Sequence, residues 1–184
     1  MTCLHYAAAQ GNYDLCRILL ESKPKARVMS KDKFKRIPLT MAVKNGHVKV
    51  ASLLLQEGSD WNHPDSSGNT PLHYAAGYGW QECIDLLLTH GSLINAENSW
   101  RVTPITIAML KNHQGIVKNF LKLDTVDVNG KDDKGRTLLT MALVDLTDDE
   151  VVEFVKFLIN KGANVNTQDL DGNTPLHLLA VYNS

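Results

Sequence analysis

The chain has 184 residues, of which 43% are hydrophobic and 21% charged, the composition of a soluble globular protein. Its 19 basic and 20 acidic side chains give a formal net charge of -1, which lacks the basic excess that general binders of nucleic acids and acidic membranes need. The apolar runs are too short to cross a bilayer and the cysteines have no C-x-x-C spacing, so we expect no direct membrane insertion, no disulfide framework and an intracellular location, cytoplasmic or nuclear.

A tetrapeptide of the type T-P-L-H returns six times along the chain. Its first residues are separated by 35, 33, 33, 34 and 37 positions. A motif at nearly constant spacing indicates that one supersecondary unit is copied along the chain, so we predict an array of repeats. An array presents a long surface, which favours binding of another macromolecule over catalysis in a pocket. The six copies begin at Thr2, Ile37, Thr70, Thr103, Thr137 and Thr174.

The third copy shows the predicted unit most clearly. Asp65 and Gly68 predict a tight turn, in which the carboxylate accepts backbone N–H groups and the glycine takes a positive φ. Thr70 is then the predicted N-cap of a short helix that Gly79 ends, and the apolar pattern of residues 83–88 predicts a second helix. Because such short helices are unstable alone, neighbouring units must stack. The residues predicted to be buried between units include Leu53, Ala75, Leu86, Leu87 and Ala108.

The 33-residue period and the pattern D-x-x-G-x-T-P-L-H-x-A-A-x-x-G of residues 65–79 resemble the ankyrin repeat. This resemblance covers essentially the whole chain and implies an all-α solenoid of stacked helix pairs with hairpin loops, usually a scaffold or adaptor. Both ends of the chain cut a repeat, so we expect the array to be part of a longer protein. The alternative is that Met1 is the native start and that the last half-repeat serves as a cap. The expected units are residues 1–31, 32–64, 65–97, 98–131 and 132–168, with a half-repeat at 169–184.

Two predicted hairpins depart from the pattern. Lys35 and Arg101 stand where the other hairpins have Gly68, Gly135 and Gly172, so we expect these two turns to be built differently. Both turns also carry an aromatic residue flanked by cations, a composition that is enriched at interface hot spots and that steers an acidic partner. The alternative is that the rings fold down onto neighbouring hairpins and the charges are only solvated.

The first helices of the units contribute further candidates at the positions after their alanine pairs. Tyr78 is the most prominent of these, because it lies between the two unusual hairpins in repeat order. We expect a partner protein with an acidic and apolar segment to bind there, and we expect no nucleic acid, cofactor or metal ion and a monomeric chain. Trp80 is expected to pack over the loop between its own two helices. The predicted partner-binding residues are Lys33, Phe34, Lys35, Arg36, Lys44, Tyr78, Trp100, Arg101 and Lys111.

The fifth unit is longer than the 33-residue copies, and the excess lies between its two helices. Thr147 and Glu150 have the spacing of a capping box, so the second helix is predicted to begin at Asp148. The acidity of this segment could instead offer a separate contact surface. A calcium site is not predicted, because the EF-hand pattern is absent.

The seven histidines raise the question of an enzyme. His5, His73 and His177 are the fourth residue of the repeated motif, where the ankyrin resemblance implies a ring that ties a helix start to the adjacent hairpin. A catalytic group is normally singular and lies beside an orienting partner in a pocket, so this periodicity argues against catalysis. We therefore predict that the chain is not an enzyme.

Two functions of different classes remain open. The first is a non-catalytic scaffold that binds a partner segment along its hairpin tips and first helices. The second is a spacer or regulatory region that positions an enzymatic or channel domain elsewhere, and the two are not exclusive. The ankyrin resemblance also implies a modification. Asn62 and Asn129 each follow an acidic and a hydrophobic residue, an arrangement similar to the one hydroxylated by an intracellular asparaginyl hydroxylase. The alternative is that these side chains only hydrogen-bond their loops.

Overall fold

The computed structural model describes residues 1–145 and 148–182, which contain eleven α-helices and no strand. None of these helices is both long enough and apolar enough to cross a bilayer. The helices are α1 (Cys3–Ala9), α2 (Tyr13–Glu21), α3 (Pro38–Lys44), α4 (Val48–Gln56), α5 (Pro71–Tyr78), α6 (Gln81–Thr89), α7 (Pro104–Leu110), α8 (Gln114–Leu121), α9 (Leu138–Asp145), α10 (Asp148–Asn160) and α11 (Pro175–Tyr182).

The helices form antiparallel pairs that stack side by side. We call the first helix of each pair the inner helix and the second the outer helix. Each inner helix packs on the next one from α1 to α11, and the outer helices α2, α4 and α6 pack on one another behind them. This arrangement confirms the predicted all-α solenoid. Its inner helices form one continuous face, and the loops that precede them lie along one edge of that face.

The inner helices approach closely because their facing side chains are small. Ala75, Ala76 and Ala108 are fully buried, and Leu54 and Leu87 of the outer helices are also without solvent contact. Large aliphatic groups from the outer helices therefore fill the space behind a narrow alanine-lined contact. The predicted buried residues are confirmed with one exception, since Leu86 is only partly buried.

The hairpin turns are all closed in the same way. The Oδ1 atom of the first turn residue accepts the backbone N–H groups two and four residues later, at 2.8 to 3.0 Å. A backbone bond from the fourth turn residue to the first completes each turn. The five residues that close the turns are Asp32, Asp65, Asn98, Asp132 and Asp169.

The prediction that the turns of Lys35 and Arg101 are built differently is wrong. Lys35 has φ 60° and Arg101 has φ 56°, close to the 79° of Gly68 in the regular turn. The side chain of Asp32 or Asn98 imposes this shape, because it binds the same backbone N–H groups in each turn. A residue with a Cβ atom pays roughly 1–2 kcal/mol for the left-handed conformation. Both hairpins therefore carry local strain that the glycine hairpins avoid.

Adjacent hairpins are joined by backbone hydrogen bonds into a continuous row. Phe34 O accepts from the N–H of Ser66 at 2.8 Å, and Ser67 O accepts from the N–H of Ser99 at 2.9 Å. The row continues from Trp100 O to the next hairpin. Phe34 and Trp100 therefore hold the same position in two hairpins, with a single hairpin between them.

The loops between the helices of each pair are also joined from unit to unit. The indole of Trp80 donates to Lys44 O at 3.1 Å, and its ring lies against Gly46, where an added Cβ would be 2.8 Å from it. The ring nitrogens of His47 and His113 make the equivalent bonds at 3.0 and 3.1 Å. Trp80 thus packs on the loop of the preceding unit, and the prediction that it covers its own loop is wrong.

The second helix of the fifth unit begins at Asp148, as predicted from the sequence. The capping box predicted for Thr147 and Glu150 falls on side chains outside the described residues. α10 is the longest helix described, at 13 residues. α10 begins at the same distance from Thr137 as α6 does from Thr70, so the extra length of this unit lies within the outer helix. The prediction that the excess lies between the two helices is wrong.

Candidate functional site

One group of candidate residues lies on the row of hairpins, and we call it the hairpin patch: Lys33, Phe34, Lys35, Trp100 and Arg101. Two cations lie over the Phe34 ring, with Lys33 Nζ 4.9 Å and Arg36 Cζ 4.8 Å from its centroid. Phe34 is 45% exposed and Trp100 is 49% exposed. Half of each ring therefore remains available to a partner, and the rings do not fold down completely onto neighbouring hairpins.

Arg36 connects the Phe34 ring of the hairpin patch to the buried carboxylate of Asp32. Its guanidinium makes two hydrogen bonds to Asp32 Oδ2, at 2.9 and 2.6 Å, and the Asp32 side chain has no solvent exposure. Burial alone raises the pKa of Asp32, but the hydrogen bonds from Arg36 and from the turn backbone bring it below its usual value. The same pair recurs as Asp132 and Arg136. Arg36 is thus held by the turn, and its stacked guanidinium orients Phe34.

Arg101 has more freedom than Arg36. Its Nε atom lies 3.6 Å from Glu97 Oε2, and both side chains are largely exposed. An exposed ion pair of this kind contributes little to stability. The cation of Arg101 can therefore exchange Glu97 for a carboxylate of a partner. Lys33 and Lys35 make no ion pair within the described residues.

A second group of candidates surrounds a depression of about 330 Å³ on the inner-helix face, between α5 and α7. We call it the Gly77 depression. Gly77 has no side chain at a register where α3 has Lys44 and α7 has Leu110, and this absence opens the surface. A Cβ at Gly77 would lie 2.7 Å from Ile107 Cγ2, so the two helices are in close contact there. The depression is lined by Asn69, His73, Tyr74, Gly77, Tyr78, Ile107 and Lys111.

Cations lie on both sides of the Gly77 depression. Lys44 Nζ is 5.9 Å from the Tyr74 ring centroid and 5.8 Å from that of Tyr78, whereas Lys111 lines the opposite side. The Tyr74 hydroxyl donates to Asp65 Oδ2 at 2.7 Å. Burial and this bond to a carboxylate raise the pKa of Tyr74, which stays protonated at any physiological pH. Tyr74 is therefore a fixed wall, whereas Tyr78 is 49% exposed.

The structure separates the predicted residues into two places. The depression brings together Lys44, Tyr78 and Lys111. Tyr78 is the last residue of α5, so this group lies away from the hairpin patch. A helix of the length of α5 spans about 12 Å, and this length separates Tyr78 from the two exposed hairpin rings, Phe34 and Trp100. Sequence reasoning overlooked Gly77 and Ile107. A glycine inside a helix pattern, where neighbouring repeats have larger residues, was the available signal.

The repeated histidines are structural. His5 Nε2 donates to Arg36 O and His73 Nε2 donates to Val102 O, each at 3.0 Å in the next hairpin. Burial lowers the pKa of both rings, although the bonds to backbone carbonyls oppose the shift. This geometry confirms the role that the ankyrin resemblance implied for His5 and His73, whereas His177 is exposed and its Nδ1 contacts Thr174. Among the described residues no group of three or more histidine, cysteine or acidic side chains is arranged to hold a metal ion.

Asn62 and Asn129 bridge neighbouring loops. Asn62 Oδ1 accepts the N–H of Leu93 at 2.9 Å. Asn129 Oδ1 accepts the N–H of Asn164 at 2.8 Å, and its Nδ2 donates to Gly162 O at 3.0 Å. Both amides therefore contribute to the stacking of units in the folded state.

Comparison with known proteins agrees with this geometry. A family model described as ankyrin repeats (3 copies) matches residues 4–98 and 93–169. The crystal structure of an ankyrin repeat domain from Acinetobacter baumannii AYE superposes with a TM-score of 0.86 and 26% identity, covering 98% of this chain and 91% of that one.

Curated relatives are much longer proteins. The chain is 36% identical over 189 aligned residues to a poly [ADP-ribose] polymerase tankyrase of Caenorhabditis elegans, covering 98% of this chain and 8% of that protein. It is also 31% identical over 186 residues to the nuclear factor NF-kappa-B p105 subunit of Gallus gallus, covering 96% of this chain and 18% of that protein. The polymerase activity in the first name belongs to a protein of which this chain spans a small part.

Proposed function

This chain belongs to the ankyrin repeat family, and we propose that it is a non-catalytic scaffold or adaptor that binds a partner protein along its hairpin patch and inner helices. Ankyrin repeats are in general protein–protein interaction modules. We propose that the five predicted units and the terminal half-repeat are the repeats of this array. We also propose that the chain is a monomer in the cytoplasm or nucleus. The residues that we propose to contact the partner directly include Lys33, Phe34, Lys35, Trp100 and Arg101.

The observation that carries this proposal is the strain at Lys35 and Arg101. Glycine would adopt the left-handed backbone of both turns without steric strain, as it does at Gly68, yet two long cations occupy this position. Strained backbone is concentrated at functional sites because stability is given up there for another purpose. Each strained cation also adjoins a half-exposed aromatic ring. We infer that these two hairpins were retained for binding at the expense of folding stability.

The proposed partner offers acidic and apolar groups to this surface. Lys33, Lys35, Lys44 and Lys111 are available for pairing with carboxylates of another protein. Such cations on the rim raise the association rate of an acidic partner, and buried aromatic rings slow its dissociation. The chain as a whole has a net charge of -1, so this basic surface is a local feature. A local basic surface favours a specific protein partner over nucleic acid.

A second candidate function has one observation in its favour. The chain spans only 8% of the tankyrase and 18% of the p105 subunit that it matches. An array of this kind can act as a spacer or regulatory region that positions a domain elsewhere in a longer protein. A spacer needs no partner on the hairpin patch, and this difference separates the two functions.

Affinity capture from a cell extract tests the scaffold function. The bait is this chain, compared with the double variant Phe34→Ala and Trp100→Ala and with the control variant Tyr13→Ala, which alters an exposed ring on the outer helix α2. We expect partner proteins to bind the unmodified chain and the control, and to be lost from the double variant. Equal capture by all three baits, or by none of them, contradicts the proposal.

A further inference from the structure

The Gly77 depression is an interruption of the inner-helix face that the proposed function alone does not explain. The flanking inner helices carry Lys44 and Leu110 at this register, but here a glycine leaves a recess walled by Tyr78 and Ile107. Its volume of about 330 Å³ lies at the low end of the range for ligand pockets, about 300–1,000 Å³. A recess of this size suits one inserted side chain or a small group.

The two sides of the recess are basic. Lys44 Nζ lies 5.8 Å from the Tyr78 ring on the α3 side, and Lys111 lines the α7 side. Within the described residues neither lysine makes an ion pair. The carboxylate of Asp65 is already bound by the Tyr74 hydroxyl and by two N–H groups of its turn, at 2.7 to 2.9 Å. An apolar recess between two unpaired cations complements an acidic ligand that carries an apolar group.

We propose that the Gly77 depression anchors one aliphatic side chain of an extended acidic segment of the partner protein, whose flanking carboxylates pair with Lys44 and Lys111. This inference rests on the proposed scaffold function and adds the chemistry of the bound segment. The aliphatic group excludes water between Tyr78 and Ile107. The carboxylates fix the direction and register of the segment across the inner helices.

The spacing of the acidic residues follows from the geometry of the surface. Inner helices packed at about 8–10 Å place α3 and α7 roughly 16–20 Å apart, and the lysine side chains lean inward over this gap. In an extended chain, residues two positions from the inserted one point to the same side and lie about 13 Å apart from each other. Glutamates at these positions reach both ammonium groups. The preferred segment is therefore acidic-x-aliphatic-x-acidic.

Isothermal titration calorimetry and amide NMR shifts with synthetic peptides test this inference. The probe peptide carries a leucine with a glutamate two residues before and two residues after it. The comparison peptides replace the leucine by glycine or both glutamates by glutamine. We expect the probe to shift the amide signals of Gly77, Tyr78 and Lys111. The glycine peptide should bind about tenfold more weakly or worse, and the glutamine peptide should lose its dependence on salt.

A pair of charge reversals provides the matched control. Lys111→Glu changes the rim of the recess, whereas Lys118→Glu makes the same charge change near the end of the outer helix α8. Both lysines are exposed, so both variants retain the fold. We expect Lys111→Glu to weaken binding of the probe peptide at least about tenfold, and Lys118→Glu to leave it within about twofold.

The outcomes separate this inference from the scaffold function. Equal binding of the leucine and glycine peptides, equal effects of the two charge reversals, or no binding overturns the anchored acidic segment. An oligothymidylate that binds the recess as tightly as the probe overturns it as well, because the site would then recognise phosphates and bases. In each of these cases the capture experiment with Phe34→Ala and Trp100→Ala still decides the scaffold function independently.

Discussion

His73 Nε2 lies 3.0 Å from the backbone oxygen of Val102, so a single imidazole ties the start of α5 to the next hairpin. On the other side of the ring, Nδ1 accepts the backbone N–H of Thr70 at 3.1 Å. Nε2 must therefore carry a proton, and Nδ1 must not. His5 makes the same two contacts with Arg36 O and with the N–H of Thr2. The two contacts together thus require a neutral ring, because a protonated ring could not accept at Nδ1.

These rings predict that the array loses stability in weak acid. Burial lowers the pKa of His5 and His73 below the ordinary value, so the unfolded chain binds protons at these rings more readily than the folded chain. Their contribution to stability is complete above an ordinary pKa of about 6.5 and is lost as the pH falls through the lower folded value. Urea denaturation between about pH 7 and pH 5 should show a falling free energy of unfolding.

Two variants test whether the His73 ring causes this loss of stability in acid. His73→Gln should cost about 1–2 kcal/mol at neutral pH, because buried hydrogen bonds are lost, and it should flatten the dependence on pH. His63→Gln changes a histidine outside the repeated motif and should retain the slope of the unmodified chain. An unchanged slope in His73→Gln would show that the acid sensitivity has another source.

The strained turns predict a trade between stability and binding. Lys35→Gly and Arg101→Gly remove the left-handed strain of roughly 1–2 kcal/mol but add flexibility to the unfolded chain, so each should stabilise the fold by about 0.5–1 kcal/mol. Lys33→Gly removes the same type of charge at a residue without a positive φ and should destabilise the fold. Thermal denaturation of the three variants measures the difference. Binding of an identified partner should weaken in all three, and stabilisation by Lys33→Gly would refute the strain argument.

Local structure was predictable because short-range chemistry determines it. Thr70 and Gly79 mark the ends of α5 in the sequence, and the structure places them as N-cap and left-handed C-cap. The turn of Lys35 shows the limit of this reasoning. The identity of one residue suggested a different turn, but the side chain of Asp32, which lies three residues earlier, determines the backbone.

Contacts between units were much harder to predict. Trp80 lies on a loop 34 residues earlier in the chain, around Gly46, and the sequence alone gives no reason to prefer that loop over its own. The Gly77 depression likewise exists because α5 meets Ile107 of α7. Repeat spacing predicts which units are neighbours, but the side chains that face each other depend on helix rotation and on the size of every group between them.

The core predicts a large cost for removing one leucine. Leu87 on α6 is fully buried in the core, so Leu87→Ala should destabilise the fold by about 2–5 kcal/mol through lost burial and a residual cavity. Leu93→Ala is the matched control, because Leu93 is 61% exposed and its replacement should change stability by less than about 0.5 kcal/mol. Equilibrium denaturation compares the two variants. Similar costs would mean that the stack does not bury Leu87 as described.

The hairpin patch predicts distinct kinetic effects for its rings and its cations. Trp100→Ala should weaken binding of an identified partner by about 2 kcal/mol or more and act mainly on the dissociation rate. Lys33→Ala should cost roughly 1 kcal/mol or less, slow association and reduce the dependence on salt. Surface plasmon resonance at two salt concentrations separates the two rates. Unchanged kinetics in Phe34→Ala, Tyr78→Ala and Trp100→Ala would move the binding site to the outer helices.

We predict hydroxylation of the loop asparagines Asn62 and Asn129, but not of Asn95 in the repeat between them. Asn62 and Asn129 follow Asp60 and Asp127 by two residues, whereas Asn95 occupies the intervening repeat without an acidic residue at that distance. Asn95 bridges its loops in the same way, since its Oδ1 accepts the N–H of Asp127 at 3.0 Å. We expect hydroxylation at Asn62 and Asn129 in protein purified from animal cells, with Asn95 as an internal control.

Peptide mass spectrometry measures this modification as the mass of one added oxygen atom. The amides of Asn62 and Asn129 are held by hydrogen bonds to the neighbouring unit, and local opening of the loop frees them for an enzyme, so each site should be modified in part of the molecules. The destabilised variant Leu87→Ala should raise the modified fraction at Asn62, since more frequent opening exposes the side chain. Absence of the added oxygen at both sites, or equal modification of Asn95, would mean that these asparagines serve only to hold neighbouring loops together.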